Sequence, residues 1–193
     1  MKVRSLVLIA LGFGLRAYAQ QPAGAVMDAA LAREYEIGGI TVSGTTTVDV
    51  NGLELGVAGI KGFGGGFLGR SASDFGEPEM RAFAGHSIDT AARLERCLTV
   101  LNGDVRIVLL HYSPVPDTLV GEPPELFPFL GSYLLAEAID RALPDLVIHG
   151  HAHRGTERGV TPGGVRVRNV ALPVLGAPFR VYELSAGSHG RPL

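Results

Sequence analysis

Two short apolar segments, each adjoining a histidine, constrain the fold of this chain more than any other feature. Residues 105–110 are apolar apart from Arg106 and precede His111, and residues 145–149 run from an aspartate to a histidine through three apolar residues. Strands that are apolar on both faces occur inside mostly parallel sheets covered by helices. Segments of helical periodicity lie before and between these strands, so we expect an α/β chain with a mixed sheet.

Turn and capping signals add two further elements. Asn51-Gly52 lies between two β-rich runs and predicts a hairpin. Ser132 can cap a following helix, in which Glu137 and Arg141 are spaced for an i,i+4 pair.

Residues 79–101 show helical spacing of their apolar side chains and are predicted to form the longest helix. Cys97 lies beside this apolar stripe and is expected to fill the core. The stripe consists of Met80, Phe83, Ala84, Ile88, Ala91, Leu94, Leu98 and Leu101. The other predicted elements are helices over residues 25–36 and 132–143, strands over 40–43, 45–50, 53–60, 165–172 and 179–184, a glycine-rich loop over 61–74, and a polar tail over 185–193. No linker divides residues 25–184, so we predict one domain there.

Composition excludes several classes of protein. The chain has 193 residues with 17 basic and 19 acidic side chains, which excludes a generally basic nucleic-acid-binding protein. One cysteine excludes a disulfide scaffold and a zinc site built from cysteines. The longest apolar run is too short to span a bilayer as a helix, so no transmembrane span is predicted.

Residues 1–20 differ from the rest of the chain. Their apolar run ends before Ala17-Tyr18-Ala19, the small-x-small pattern that precedes a signal-peptidase cleavage site. One interpretation is a signal peptide, which would make the protein secreted or periplasmic. The other is a fortuitous apolar start, as a misplaced start codon would produce, with the protein in the cytoplasm.

Three of the six histidines are expected to meet at one edge of the predicted sheet. His111 follows the first apolar strand, whereas His151 and His153 belong to a His-Gly-His-Ala-His run over residues 149–153 that ends the second. The carboxyl ends of neighbouring parallel strands form one rim, where ligands bind. Neutral imidazole is a good ligand for divalent metals. The sequence therefore predicts a metal site at His111, His151 and His153; the alternative is a turn in which histidines cap backbone groups.

The remaining histidines have simpler interpretations. His149 alternates in direction with the strand residues before it and is expected to turn back into the sheet. His86 falls on the polar face of its predicted helix, where solvent would surround it, and His189 lies in the tail.

Together the two histidine segments resemble the C-terminal half of the calcineurin-like metallophosphoesterases. The first, residues 108–114, reads Val-Leu-Leu-His-Tyr-Ser-Pro, a strand ending in a histidine with a proline three residues on. The second, residues 150–153, reads Gly-His-Ala-His. The resemblance covers about residues 53–175 and implies an α/β/β/α sandwich of two mixed sheets flanked by helices.

The resemblance also implies a site and an activity. In that family two divalent ions, such as manganese, iron, zinc or nickel, are bridged by an aspartate and a hydroxide that attacks phosphorus. His111 and His151 then resemble ligands of one ion, and His153 resembles a ligand of the other. The implied substrate is a phosphorylated small molecule or macromolecule.

The family's N-terminal motifs are absent from this sequence. They are Asp-x-His, Gly-Asp-x-x-Asp and Gly-Asn-His followed by Asp or Glu, and they supply the bridging aspartate, an asparagine ligand and a histidine that protonates the leaving group. Gly103-Asp104 precedes the wrong strand and lacks the second aspartate. Three neutral imidazoles provide no carboxylate to offset two divalent ions, so two metals should not bind tightly. We therefore expect an N-terminally truncated domain.

Two functional classes follow. The first is a metal-dependent phosphoester hydrolase whose activity is impaired by the missing ligands. The second is a non-catalytic remnant, or a metal-binding protein, that retains the C-terminal half of the fold. The DNA upstream of Met1 would distinguish them, because an intact gene would encode the missing aspartates there.

Two loops near the predicted site have open interpretations. The glycine-rich loop after residue 60 lacks the spacing of a phosphate-binding P-loop. It is either a plain loop or one from which Lys61 or Arg70 contacts substrate phosphate. The proline-rich loop over residues 121–129 either shapes a substrate rim or packs Phe127 and Phe129 onto the core.

Overall fold

A computed structural model describes residues 5–11, 14–15, 36–37, 40–41 and 44–186, the first four ranges only as backbone strands. The predicted helix over 25–36 lies outside the described residues except for Glu36, which begins a strand. The predicted strand over 40–43 is described only at Ile40–Thr41. His189 also lies outside the described residues.

In the described ranges, eight strands precede a long helix, and strands and shorter helices follow it. The strands are β1 Ser5–Leu11, β2 Gly14–Leu15, β3 Glu36–Ile37, β4 Ile40–Thr41, β5 Gly44–Val50, β6 Leu53–Gly59, β7 Gly66–Phe67, β8 Arg70–Ser71, β9 Val105–Leu109, β10 Leu146–His149, β11 Arg158–Val160, β12 Arg166–Asn169 and β13 Phe179–Ser185. The helices are α1 Pro78–Val100, α2 Phe127–Leu130, α3 Tyr133–Ala142 and α4 Leu172–Leu175, with 3-10 turns at Pro116–Leu119 and Pro124–Leu126.

A six-stranded mixed sheet forms the centre of the fold, in the order β11-β12-β10-β9-β6-β5. Strands β6, β9, β10 and β12 are parallel to one another, and the two edge strands are antiparallel to their neighbours. The predicted α/β class with a mixed sheet is thereby confirmed. The parallel arrangement brings the carboxyl ends of β6, β9, β10 and β12 to one edge of the sheet.

Local signals account for several element boundaries. Asn51 and Gly52 join β5 to β6 with φ values of 57° and 79°, the left-handed backbone that a two-residue hairpin turn requires. The Ser132 hydroxyl accepts a hydrogen bond from the Leu134 amide and caps α3, as predicted.

The sheet is buried on both faces, which explains its apolar strands. Side chains alternate along β9, so that Val108 joins one cluster while Val105 and Ile107 join the other. The first cluster is covered by α1 and α3. On the opposite face Leu184 of β13 is buried in the second cluster.

Strand β13 also pairs with β1 along its whole length, from Ser5 opposite Ser185 to Leu11 opposite Phe179. Together with β2 they form a three-stranded sheet. The pairing does not test whether residues 1–20 are a leader, and that interpretation stays a prediction.

Three details of the predicted elements were wrong. Met80 and Ile88 are exposed, because Ile88 lies about 120° around α1 from the buried Leu94 and Met80 belongs to an exposed first turn. Arg141 pairs with Glu95 of α1 at 2.7 Å rather than with Glu137, since the two helices pack side by side. The predicted strand over 165–172 ends at Asn169, whose side-chain oxygen accepts a hydrogen bond from the Ala171 amide and turns the chain into α4.

Cys97 lies in the core, as predicted, and burial raises the pKa of its thiol. Thiolate is the reactive form, so we expect Ellman's reagent to modify Cys97 far more slowly in the native protein than in urea. Rapid native labelling would contradict the packing of α1. Among the described residues no helix is both long and apolar enough to cross a bilayer.

Candidate metal centre

The two strands that carry the histidine segments are neighbours in the sheet, and their ends place two histidines side by side. His111 lies two residues after β9 and His151 two residues after β10. Their ring centroids are 4.4 Å apart, with 40° between the ring planes. The structure therefore brings these two predicted site residues together, for the reason the parallel topology suggests.

Backbone hydrogen bonds hold the His111 segment in place. The Leu110 amide donates to Ile148 of β10, at 2.8 Å. The amides of His111 and Tyr112 both donate to the Lys61 carbonyl, at 2.9 and 3.2 Å. The segment after β9 is thus joined to β10 on one side and to the segment after β6 on the other.

His151 occupies an unusual backbone conformation. Its φ is 68°, and the Ala152 amide donates to the Gly150 carbonyl across it at 2.8 Å. A three-residue turn with a positive φ at its centre is rare and strained, typically by about 1–3 kcal/mol for a residue other than glycine. Strain of this kind persists where surrounding contacts hold it, and it turns the His151 ring toward His111.

Both histidines of the pair are neutral near pH 7. Burial, followed by repulsion from the protonated form of His151 and from the Lys61 ammonium, lowers the pKa of His111 to about 4. Burial likewise lowers the pKa of His151. Each ring therefore keeps a lone pair, which is the form that binds metal.

His153 is exposed and lies less close to the pair. After burial, the main cause, the protonated form of His153 is a further cause of the lowered pKa of His111 and of His151. Within the part of the chain that the structure describes, however, no three His, Cys, Asp or Glu side chains are grouped closely enough to hold a metal ion. His153 thus lies near the site without completing a three-residue ligand set.

The donor set fits one metal ion better than two. With metal–nitrogen distances of about 2.1 Å, two imidazoles on one tetrahedral ion have ring centroids about 5.3 Å apart, which is somewhat more than the separation of 4.4 Å seen here. His151 Nε2 lies 3.3 Å from the Phe129 carbonyl and can donate to it, which leaves Nδ1 with the lone pair. A two-metal centre does not fit the described residues, which bring no carboxylate to the histidine pair as a ligand.

His149 is only 1 % exposed and turns back into the sheet, as predicted. Its Nδ1 donates to the Gly150 carbonyl at 2.7 Å, so the neutral ring accepts from the Thr118 hydroxyl through Nε2 at 2.8 Å. Both nitrogens are therefore engaged, and His149 cannot serve as a metal ligand in this arrangement. His86 is exposed, as predicted, and meets the Phe63 ring edge-on at 4.4 Å.

Sequence reasoning missed three buried polar residues that support the site. The Thr118 hydroxyl joins His149 to Ser113, whose hydroxyl lies 2.7 Å away. Asn169 is fully buried, and its amide donates to the Ala152 carbonyl at 2.7 Å, between His151 and His153. The sequence held one signal for Asn169. It is a polar residue near the end of a segment with strand-like composition, where an asparagine can end the strand by bonding to the backbone.

The two candidate substrate residues differ in position. The Lys61 ammonium lies 5.9 Å from the centroid of the Tyr112 ring, and its charge acts on both His111 and His151. Arg70 lies exposed on β8, and no described contact joins its side chain to the histidine pair. Of the two, only Lys61 is placed at the site.

Both nearby loops are packed against each other. The Gly65 amide donates to the Pro128 carbonyl at 2.7 Å, and Gly66 donates to the Gly131 carbonyl at 2.9 Å. In the proline-rich loop Phe127 packs edge-on against Phe67, with centroids 6.3 Å apart, whereas Phe129 is 58 % exposed at the rim. Packing onto the core is therefore seen for Phe127 and not for Phe129, and the substrate rim stays a prediction.

No protein-family model and no curated protein matches the chain. Among solved structures it is similar to a hypothetical protein from Thermus thermophilus, with 18% sequence identity and a TM-score of 0.40. The similarity covers 80% of this chain and 60% of that protein, so the chain spans about three fifths of its length. These comparisons assign no family to the chain.

Proposed function

We propose that this chain contains the part of a metallophosphoesterase site that the C-terminal half of the fold supplies. In this part His111 and His151 bind one divalent metal ion. The observation that carries the proposal is the pair of neutral imidazole rings, 4.4 Å apart, at the adjoining carboxyl ends of two parallel strands. The resemblance of residues 108–114 and 150–153 to the calcineurin-like family supplies the reaction class. Phosphoester hydrolysis by the chain itself is expected to be slow or absent.

The second half of the proposal is a sandwich fold of the kind that family has. Helices α1 and α3 cover one face of the six-stranded sheet. Strand β13 buries Leu184 on the other face and pairs with β1. These contacts support an arrangement of two sheets with helices outside them.

The chain's own residues would have two roles, metal binding and attraction of the phosphate group. His111 and His151 hold the ion, and the Lys61 ammonium beside them attracts the negative charge of a phosphate group. A bound ion supplies Lewis-acid chemistry, which polarises phosphoryl oxygen and lowers the pKa of bound water. Zinc, iron, nickel and manganese are the candidates, since imidazole suits the first three and the resemblance adds the fourth. The Glu122 carboxylate acts on His151 through its charge, but the described residues assemble no third ligand beside the pair, so binding is weak compared with a complete site.

The alternative is a protein that binds metal without turnover. One observation favours it over full activity: within residues 44–186 no group of three metal-ligating side chains is assembled. Metal affinity and hydrolysis therefore have to be measured separately.

The test is a calorimetric titration of the protein with Zn²⁺, Mn²⁺ and Ni²⁺. His151→Ala should weaken binding by at least about tenfold, because loss of even an outer-shell partner costs that much at many metal sites. The matched control is His86→Ala, which removes an exposed histidine of α1 that has no place in the pair. Equal affinities for all three proteins would refute the metal site. Hydrolysis of p-nitrophenyl phosphate with Mn²⁺ should be little or none, and rapid turnover that His151→Ala abolishes would refute the impaired site.

A further inference from the structure

Four aromatic side chains form a continuous row that starts at the histidine pair. The Tyr112 ring lies 4.7 Å from the His151 ring, and Phe63 lies 5.9 Å from Tyr112. Phe83 follows at 5.1 Å from Phe63, and Phe129 at 6.1 Å from Phe83. We call Tyr112, Phe63, Phe83 and Phe129 the aromatic row.

The aromatic row is only partly covered, and Phe129 is its most exposed member. Phe129 is 58 % exposed, whereas the other three rings are half-buried and Tyr112 also packs against the first buried cluster of the sheet. Met80, one turn before Phe83 on α1, extends the same apolar surface and is also exposed. A set of rings that served only to fill the core would be covered, as Leu94 and Ile107 are.

Backbone contacts fix the row before any ligand arrives. Its members come from the segment after β6, from α1, from the segment after β9 and from α2. The Gly65 amide bonds to the Pro128 carbonyl, which ties the segment that carries Phe63 to the one that carries Phe129. The Tyr112 amide bonds to the Lys61 carbonyl. Rings held in this way lose little freedom when a ligand stacks on them.

A positive charge lies at the histidine end of the row. The Lys61 side chain is exposed, and its ammonium lies 5.9 Å from the centroid of the Tyr112 ring. A ligand that satisfies both features has an anionic group at Lys61 and a flat apolar ring that continues along the rim.

We infer that the site binds phosphoesters whose alcohol part carries a flat aromatic ring, with the phosphate at Lys61 and the histidine pair and the ring on the aromatic row. The inference deepens the proposed function and rests on it for the identity of the anion. The ring is attached either directly to the phosphate, as in an aryl phosphate, or one sugar away, as in a nucleoside monophosphate. A phosphate with a short aliphatic group would leave the row uncovered.

The experiment compares phosphonates, whose carbon–phosphorus bond is not hydrolysed. Affinities of phenylphosphonate, cyclohexylphosphonate and methylphosphonate are measured by calorimetry, with Zn²⁺ and again with EDTA. Phenylphosphonate should bind about tenfold more tightly than methylphosphonate and more tightly than cyclohexylphosphonate, since stacking requires a flat ring. AMP, compared with ribose 5-phosphate, tests a ring held one sugar away.

Phe129→Ala should remove most of the preference for the ring while leaving the affinity for methylphosphonate unchanged. The matched control is Phe179→Ala, which removes another exposed phenylalanine, on β13. Phe129→Leu keeps apolar volume without a flat ring, so it replaces Phe129→Ala if that variant does not fold.

Equal affinity for all ligands, or no binding of any, would overturn the inference. So would a Phe129→Ala protein that keeps the full preference for phenylphosphonate or AMP. Failure of the proposed function gives a different result, in which Zn²⁺ does not bind while the ring preference persists in EDTA through Lys61 and the aromatic row.

Discussion

Gly65→Ala should lower the free energy of unfolding by about 3 kcal/mol. Gly65 has a φ of 144°, which L-residues rarely adopt, and a Cβ atom there would lie 2.5 Å from the Ser87 hydroxyl. That hydroxyl is buried and hydrogen-bonded to the Ser132 hydroxyl at 3.2 Å. The added methyl group therefore strains the backbone and also pushes apart the contact between α1 and the cap of α3. Urea denaturation followed by circular dichroism measures the change.

Two other glycines separate these contributions. Gly69 has a φ of 83° with nothing within 4 Å of the methyl group that alanine would add, so Gly69→Ala should cost only about 1 kcal/mol of backbone strain. Gly85 lies within α1, also with open space around it, and Gly85→Ala should stabilise the protein by about 0.5–1 kcal/mol. If Gly65→Ala behaved like Gly69→Ala, the close packing of the glycine-rich loop would be wrong.

Asn169→Leu should destabilise the protein by about 2–4 kcal/mol and also weaken metal binding. Leucine has nearly the same volume but leaves the Ala152 carbonyl and the Ala171 amide without the hydrogen bonds that Asn169 provides. Ala152 lies between His151 and His153, so its release loosens the strained turn that orients His151. Denaturation and Zn²⁺ titration of the same protein measure the two effects.

Asn102→Leu is the matched control for that variant. Asn102 also bonds to a backbone carbonyl through its amide, at 3.2 Å, but its side chain is exposed. Its replacement should change the free energy of unfolding by about 0.5 kcal/mol or less. Stability lost by Asn169→Leu without any change in Zn²⁺ affinity would show that Asn169 supports the fold but does not position His151.

Five of the six strands of the central sheet and the helices α1 and α3 could be predicted because their signals are local, whereas the edge strand β11 was not predicted. Asn51-Gly52 requires a tight turn, Ser132 caps the helix that follows it, and both predictions agree with the structure. The predicted convergence of His111 and His151 also agrees with it, because adjacent parallel strands end at the same edge.

The errors at Ile88 and Arg141 have a different origin. Periodicity shows which residues share a helix face, but the partner helix decides how much of that face is covered and which charge is nearest.

The sequence by itself determined five strands of the central sheet, the helices α1 and α3, the hairpin, the helix cap and the two histidine segments that follow buried strands. These depend on backbone preferences and side-chain periodicity within a few residues. Only the tertiary structure decided that both nitrogens of His149 are engaged, that His153 completes no three-residue ligand set with His111 and His151, and that Phe129 faces solvent. Each of these depends on residues far apart in the chain, such as Thr118 with His149, and their distance is set by how the packed elements align.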